Sequence, residues 1–479
     1  MPKFGTDGWR AVIGDDFTYA NLHIVAEATA RWLVQTRGGK PNATGQPSAV
    51  LGYDTRFQGR AFSEYVARVL AENGVRVVLS AAHTTTPAIS WAAEAYGVDA
   101  GLVVTASHNP PSYNGFKIKA YYGGPASPEM IDEVEALYAA APGPEPRPFA
   151  VLQAAGLIEE KEVTTDYVHL LHDRLDLPAI RHADLLIAHD AMFGASQGLI
   201  AELVGPERVI QLHNDLNPGM HGQAPEPIEK NLTLLAETVR AHGCALGIAN
   251  DGDADRVGLY DEHGDFVDSH RIMALLIKYL HEERGLGGSI VKTFSTTHLL
   301  DKMGAKYGLP VETTKIGFKY IAPKIVEGDV LVGGEESGGM AVKGHIPERD
   351  GIYIGLLVAE MVAKRGKTLS QLVDEVFAEF GVHVDLRLDV HTTHEKKDAI
   401  LKRLADGGLT EIAGQKVKAV ETLDGYKHLL DGDSGAWLLV RPSGTEPVLR
   451  IYAEADSREA AQALLDDTAQ QLGVADAGH

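Results

Sequence analysis

Short apolar runs recur along this chain, and most of them stop at a polar loop. Ala49-Val50-Leu51-Gly52-Tyr53 ends at Asp54-Thr55-Arg56, and Ala100-Gly101-Leu102-Val103-Val104 ends at Thr105-Ala106-Ser107-His108-Asn109-Pro110-Pro111. Val75 to Leu79 is a further run of the same kind. Between them the apolar residues fall at helical spacing, over about 21–35 (Leu22, Val25, Ala26, Trp32 and Leu33 on one side), 59–73 and 87–96. Ser127-Pro128-Glu129 reads as the capped start of another helix. Strand and helix in alternation predict a mainly parallel sheet with helices on both faces.

The plan repeats. Asp184 to Ala188 ends at His189-Asp190, and helical material follows from about Ser196. Cys244 to Ala249 then runs into Asn250-Asp251-Gly252-Asp253-Ala254-Asp255-Arg256. In the third copy Ser289 to Lys292 ends at Thr293, and Gly328 to Val332 runs into Gly333-Gly334-Glu335-Glu336-Ser337-Gly338-Gly339. Each copy has an early strand with a polar tip and a late strand with a denser polar loop. The letters do not align, so the repeat is one of topology. The last hundred residues differ. Val382 to Val390 alternates with period two, which predicts one buried face. A charged helix over 394–404, strands flanking Arg441-Pro442-Ser443-Gly444-Thr445 and a helix over 457–472 complete it. The expected fold class is therefore α/β: three similar, mixed or mainly parallel domains followed by an α+β domain. With Pro142-Gly143-Pro144-Glu145-Pro146-Arg147-Pro148 as the clearest linker, the expected borders are 1–148, 149–260, 261–377 and 378–479.

Composition narrows the classes. The 479 residues are 44% hydrophobic and 23% charged, an ordinary soluble balance. No apolar run is long enough to span a membrane, and the N-terminus shows no signal-peptide core. The net charge of −22 argues against nucleic acid or an anionic membrane as partner. The lone Cys244 forbids an internal disulfide and reads as a core thiol. The expectation is a cytoplasmic monomer or dimer acting on a small molecule.

The polar loops carry the chemistry. Ser107 stands at a strand's carboxyl end, with Lys117 a short loop away, which is where an α/β protein places reactive groups. Ser-Asn-Pro is also ordinary turn composition. Asp251, Asp253 and Asp255 at alternate positions suit Mg²⁺; a solvated acidic turn is the bland alternative. A calcium loop of the EF-hand kind fails, because Arg256 stands at its sixth position, where glycine is needed. Arg441, Ser443, Gly444 and Thr445 combine a guanidinium, hydroxyls and open backbone, as a phosphate site does and as a hairpin turn also does. Glu335, Glu336 and Ser337 suit sugar hydroxyls. No dinucleotide or P-loop motif is present.

These loops resemble those of the α-D-phosphohexomutase superfamily. Thr105-Ala106-Ser107-His108-Asn109-Pro110 is similar to its phosphoserine loop, and Asp251-Gly252-Asp253-Ala254-Asp255-Arg256 to its metal loop. Gly334-Glu335-Glu336-Ser337-Gly338 is similar to its sugar loop, and Arg441-Pro442-Ser443-Gly444-Thr445-Glu446-Pro447 to its phosphate loop. Gly5-Thr6-Asp7-Gly8-Trp9-Arg10 also fits and would put Arg10 beside the site. The resemblance implies four domains around a central cleft and transfer of phosphate between C1 and C6 of a hexose through phospho-Ser107 and a hexose 1,6-bisphosphate. It implies that Ser107, Asp251, Asp253 and Asp255 hold Mg²⁺, and that Glu335, Ser337, Arg441, Ser443, Gly444 and Thr445 hold substrate. Lys117 would act on protons, with a depressed pKa; His108, Arg256, Lys292 and His345 would be further site groups. Where some relatives carry a histidine after the sugar loop, this chain has Gly339. His345-Ile346-Pro347-Glu348-Arg349-Asp350-Gly351 resembles a stretch of phosphoglucomutases, which favours glucose phosphate over mannose or glucosamine phosphate. A phosphatase and a non-enzymatic sugar-phosphate binder are the alternatives.

Overall fold

The computed structural model describes residues 1–432, 435–442 and 448–474. The first sheet contains β1 (Trp9–Val12), β2 (Ser48–Tyr53), β3 (Arg76–Ser80), β4 (Ala100–Val104), β5 (Tyr113–Ala120) and β6 (Ile158–Lys161), in the order β1-β5-β4-β2-β3-β6. The second contains β7 (Ile187–Asp190), β8 (Val209–Leu212), β9 (Leu246–Asn250), β10 (Val257–Tyr260) and β11 (Phe266–Val267), in the order β11-β10-β9-β7-β8. The third contains β12 (Ser289–Thr293), β13 (Val311–Thr314), β14 (Val330–Gly334) and β15 (Met340–Val342), in the order β13-β12-β14-β15.

The three sheets share a kernel. In each, the early strand lies parallel to and beside the late one: β2 with β4, β7 with β9, β12 with β14. Their polar tips therefore emerge side by side. In each, the next strand turns back antiparallel on the late strand: β5 on β4, β10 on β9, β15 on β14. The sheets are mixed, and this returning strand is what the sequence reading lacks. β5 carries Lys117 and Lys119 at alternate positions, both fully buried, on a strand buried throughout apart from Tyr113. Both point into an ionic core. The sheets also reach past the expected ends at 148 and 260. β6, beyond the Pro-rich stretch, pairs with β3, and β11 pairs with β10.

The fourth sheet is antiparallel, with β16 (Val384–His391), β17 (Glu411–Ile412), β18 (Gln415–Glu421), β19 (Tyr426–Leu430), β20 (Trp437–Pro442) and β21 (Val448–Ala455) in the order β16-β21-β20-β19-β18-β17. Helices His394–Ala405 and Arg458–Gln471 complete it. The alternation in β16 buries less than expected: Val390 is buried, but Leu386 and Leu388 are only partly covered. One apolar core runs through the first three domains, from Val50 through Ile187, Ile248 and Ile290 to Phe380. Phe294, Trp437, Leu439 and Tyr452 form a separate cluster that docks the fourth domain on the third. Cys244 is buried. Among the described residues, no helix is long and apolar enough to cross a membrane.

Candidate active site

The Ser107 loop is built around Arg56. This arginine is fully buried and paired with Asp54 at 3.2 Å. It donates to the carbonyls of Ser107 (2.6 Å), Asn109 (2.6 Å), Pro110 (2.8 Å) and Tyr113 (3.0 Å). One planar guanidinium thus fixes the loop's backbone, which suits its fork of donors. Burial pushes the Asp54 carboxyl up to about 6 against the pull of Arg56. Ser107 itself sits at φ 52°, in the left-handed region that costs a non-glycine residue strain. Its amide donates to Thr105 Oγ1 at 2.8 Å and its hydroxyl donates to Asp251 Oδ2 at 2.7 Å. The two loops touch because residue 252 is glycine: a Cβ there would lie 2.5 Å from the Ser107 carbonyl.

Asp251, Asp253 and Asp255 are fully buried, with ligand atoms within 4.8 Å of one another. Lys117 Nζ bridges Asp253 Oδ2 (2.7 Å), Asp255 Oδ2 (2.9 Å) and Asp7 Oδ2 (2.8 Å). Burial alone would lower the Lys117 pKa; these carboxylates outweigh it and raise it. The depressed pKa expected for Lys117 is thus not found, because the lysine is locked as an ammonium among anions. Burial pushes Asp253 up, but Lys117 outweighs that and holds it low. Asp251 has no such partner; burial and its neighbours Asp255 and Asp253 raise it well above the usual carboxylate range.

Two residues that sequence reasoning missed complete the network. Arg349 pairs with Asp255 at 2.8 Å, with Glu348 at 3.3 Å and with Asp7. Asp7 also pairs with Lys119 at 3.2 Å, and Lys119 with the buried Glu348 at 2.7 Å. Asp7 comes from the N-terminal segment, Asp253 and Asp255 from the second domain, and Glu348 and Arg349 from the third. Both lie in stretches that the resemblance picks out, 5–10 and 345–351, but neither follows a periodic pattern that would show its pairing. Arg349 also explains Gly339: a Cβ there would meet Arg349 Cδ at 2.4 Å, so the arginine chain fills the space of a side chain at 339.

A cation fits this centre. Asp253 Oδ1 and Asp255 Oδ1 are buried without a hydrogen-bond partner, while Lys117 occupies the Oδ2 atoms. Orphaned buried carboxylate oxygens in a hard-oxygen set are what a Mg²⁺ site offers.

The other expected residues divide. Arg10 lies at the serine loop, donating to Asn109 Oδ1 at 2.8 Å, its pKa lowered by burial. His108 Nδ1 is 3.4 Å from Ser107 Oγ; burial, then Arg256 and Arg10, keep its pKa well below the ordinary value, so the ring is neutral. The Arg256 amide donates to Asp251 Oδ1 at 3.0 Å and its buried Nε has no partner. Glu335 is buried and pushed up to about 7 by burial, against Arg349. Ser337 is half-buried in the turn after β14. Glu336 accepts from Ser295 Oγ at 2.6 Å and Tyr452 Oη at 3.4 Å, so it ties the loop to the fourth domain. Lys292 is held by the Thr297 carbonyl (2.8 Å) and Asp301. Arg441 pairs with Asp424 at 3.2 Å; Ser443, Gly444 and Thr445 lie outside the described residues.

His345 is not free to bind substrate. Its Nε2 is 2.8 Å from Asp350 Oδ2, its ring stacks on Tyr353 at 3.8 Å, and its side chain is 1% exposed. Tyr167 donates to both Asp350 oxygens, at 2.8 and 2.7 Å. The group clamps the third domain to the helix Val163–Arg174.

Known proteins share this layout. The chain matches the phosphoglucomutase/phosphomannomutase α/β/α domains I (1–143), II (165–264) and III (268–380) and the C-terminal domain (395–471). It is 31% identical to the phosphoglucomutase/phosphomannomutase of Thermococcus kodakarensis, covering 97% of this chain and 96% of that one. It is 32% identical to a probable phosphoglucosamine mutase of Methanothermobacter thermautotrophicus, over 97% and 96%. The crystal structure of a putative phosphomannomutase from Thermus thermophilus superposes with a TM-score of 0.85 at 36% identity, covering 98% and 99%. All four domains match along the chain, and the protein belongs to the phosphoglucomutase/phosphomannomutase family of phosphohexomutase enzymes.

Proposed function

We propose that this enzyme interconverts glucose 1-phosphate and glucose 6-phosphate, with Ser107 carrying the phosphoryl group. The observation that carries the reading is the 2.7 Å bond from Ser107 Oγ to Asp251, at the edge of a carboxylate trio with orphaned oxygens. Asp251, Asp253 and Asp255, with the serine phosphate, would hold Mg²⁺, which supplies charge neutralisation for phosphoryl transfer. In the first half-reaction the P–O bond to Ser107 breaks, a sugar hydroxyl oxygen bonds to phosphorus and loses its proton, and Ser107 Oγ regains one. In the second half the hexose 1,6-bisphosphate returns its other phosphate to the serine. Lys117, held as an ammonium, suits the acid side of this exchange and adds positive charge near the equatorial oxygens. Arg10, Arg256 and the neutral His108 ring line the approach to the serine. Glu335 and Ser337 would take sugar hydroxyls, and Arg441 with Ser443, Gly444 and Thr445 the phosphate that is not reacting.

The preference for glucose rests on the resemblance of His345-Ile346-Pro347-Glu348-Arg349-Asp350-Gly351 to a phosphoglucomutase stretch, together with Gly339 where some relatives carry a histidine. With Arg349 filling that corner, the site has a fixed cation where a histidine would stand in other members. The segment around His345 supports it only indirectly, since that ring is buried. Mannose and glucosamine phosphates are the competing substrates. The test is a side-by-side kcat/KM comparison on the three hexose 1-phosphates with Mg²⁺ and catalytic hexose 1,6-bisphosphate. Glucose should lead; a lead for either rival overturns the preference, and release of free phosphate without isomer overturns the mutase reading.

A further inference from the structure

Asp350 does more in this structure than close the clamp on Tyr167. It stands at the start of the helix Gly351–Arg365, buried, with both carboxylate oxygens in use. Oδ1 accepts the Tyr353 amide at 3.0 Å and the Tyr167 hydroxyl at 2.8 Å. Oδ2 takes Tyr167 at 2.7 Å and His345 Nε2 at 2.8 Å. A carboxylate at a helix start answers an amide that has no partner within the helix. Here the same group is also tied to two rings outside the helix, so its first turn cannot shift without breaking those bonds.

The residue fixed in this way is Gly351. Its amide donates to the Ala254 carbonyl at 3.0 Å. Ala254 lies between Asp253 and Asp255 and sits at φ 61°, a left-handed conformation that persists in a residue with a Cβ only where the surroundings impose it. The approach is close: a Cβ at 351 would collide with the Arg256 carbonyl and lie 2.6 Å from Asn250 Nδ2. Asn250 Nδ2 donates to that same carbonyl at 3.0 Å, which closes the ends of the loop within the second domain. The middle of the loop is held from outside. The Thr86 amide of the first domain donates to the Asp253 carbonyl at 2.9 Å, and the Gly351 amide of the third holds Ala254.

We infer that Asp350 is a positioning residue for the aspartate loop: by pinning the first turn of this helix it keeps the Gly351 amide on Ala254, and so keeps Asp253 and Asp255 at the spacing a cation needs. The inference rests on the reading of that loop as the Mg²⁺ site. Its effect passes through the backbone, and through Arg349, the residue before it, which pairs with Asp255 at 2.8 Å. Groups that orient ligands without being ligands commonly matter tenfold or more to metal affinity.

The test compares two buried carboxylates of one helix. Glu360 accepts the Tyr279 hydroxyl at 2.7 Å, as Asp350 accepts Tyr167, but it lies further along the helix, against Arg284 and the Asp176 amide. Mg²⁺ is titrated by calorimetry into metal-free, dephosphorylated full-length protein, with Tm measured beside it. Asp350→Ala should weaken Mg²⁺ affinity about tenfold. Asp350→Asn keeps an oxygen for the Tyr353 amide and should recover most of that loss. Tyr167→Phe leaves the cap in place and should show a smaller loss in the same direction. Tyr279→Phe should lower Tm and leave Mg²⁺ affinity at the wild-type value. If Asp350→Ala does not fold, Tyr167→Phe against Tyr279→Phe decides. A folded Asp350→Ala protein with wild-type affinity overturns the inference. So does unchanged affinity in Tyr167→Phe, or a loss in Tyr279→Phe as large as that in Tyr167→Phe. Wild-type protein that takes up no Mg²⁺ overturns the metal reading itself, and this inference with it.

Discussion

Two regions of this molecule treat buried charge in opposite ways. At the aspartate loop, Asp7, Asp253 and Asp255 are answered by Lys117, Lys119 and Arg349 from other segments, and Asp253 and Asp255 each keep one oxygen open. At the seam of the third and fourth domains, Lys427 is as deeply buried with no carboxylate paired to it among the described residues. The first region is self-consistent before any ligand arrives, so its geometry is preset and a cation has little reorganisation left to cause. The second sets its lysine against the Trp437 ring and the Phe294 carbonyl. A catalytic centre gains from the first design.

The comparison can be broken in a definite order. The largest effect should be on turnover: Ser107→Ala lowers kcat by orders of magnitude while Tm stays near the wild-type value, and near-normal rates would remove serine from the chemistry. Next is the tri-domain network. Arg349→Met leaves Asp7 and Asp255 buried and short of a partner, and should destabilise by about 3–5 kcal/mol in urea denaturation; a loss below about 1 kcal/mol would show that the network is not desolvated. Tyr167→Phe removes hydrogen bonds to a carboxylate, and about 1.5–3 kcal/mol should be lost. A pH series sharpens the sugar loop. Glu335 accepts hydroxyls fully only when ionised, and its carboxyl sits at about 7. Substrate affinity should therefore rise as pH increases through that value, and Glu335→Gln should flatten the profile. The smallest effect belongs to a surface pair. Lys324 and Glu312 are about half exposed at 3.0 Å, so Lys324→Ala should shift stability by no more than about 0.5 kcal/mol.

Sequence reading recovers the repeat, because each copy announces itself by an apolar run that stops at a polar tip, a local signal. Ser107 and the Asp251 loop follow directly from it. The returning strands do not, since in Asn114-Gly115-Phe116-Lys117-Ile118-Lys119 the apolar residues are broken by glycine and lysines, whose carboxylate partners come from elsewhere. Asp7 and Arg349 are illegible for the same reason: their meaning lies in a pairing across the chain. His345 shows the converse error. A motif match placed it near the substrate, but the stack on Tyr353 and the bond to Asp350 hold the ring against the third domain's own helix.

The pairing of Asp7 with Arg349 spans 342 positions. At synthesis rates of roughly 5–20 residues per second, the N-terminal segment emerges tens of seconds before its partner. During that interval Asp7 and the two lysines of β5 have only each other, and the second domain's aspartates arrive midway. The network therefore cannot close on the ribosome until residue 349 has emerged. A chain stopped short of residue 349 would carry its serine and aspartate loops, yet lack the arginine that locks them.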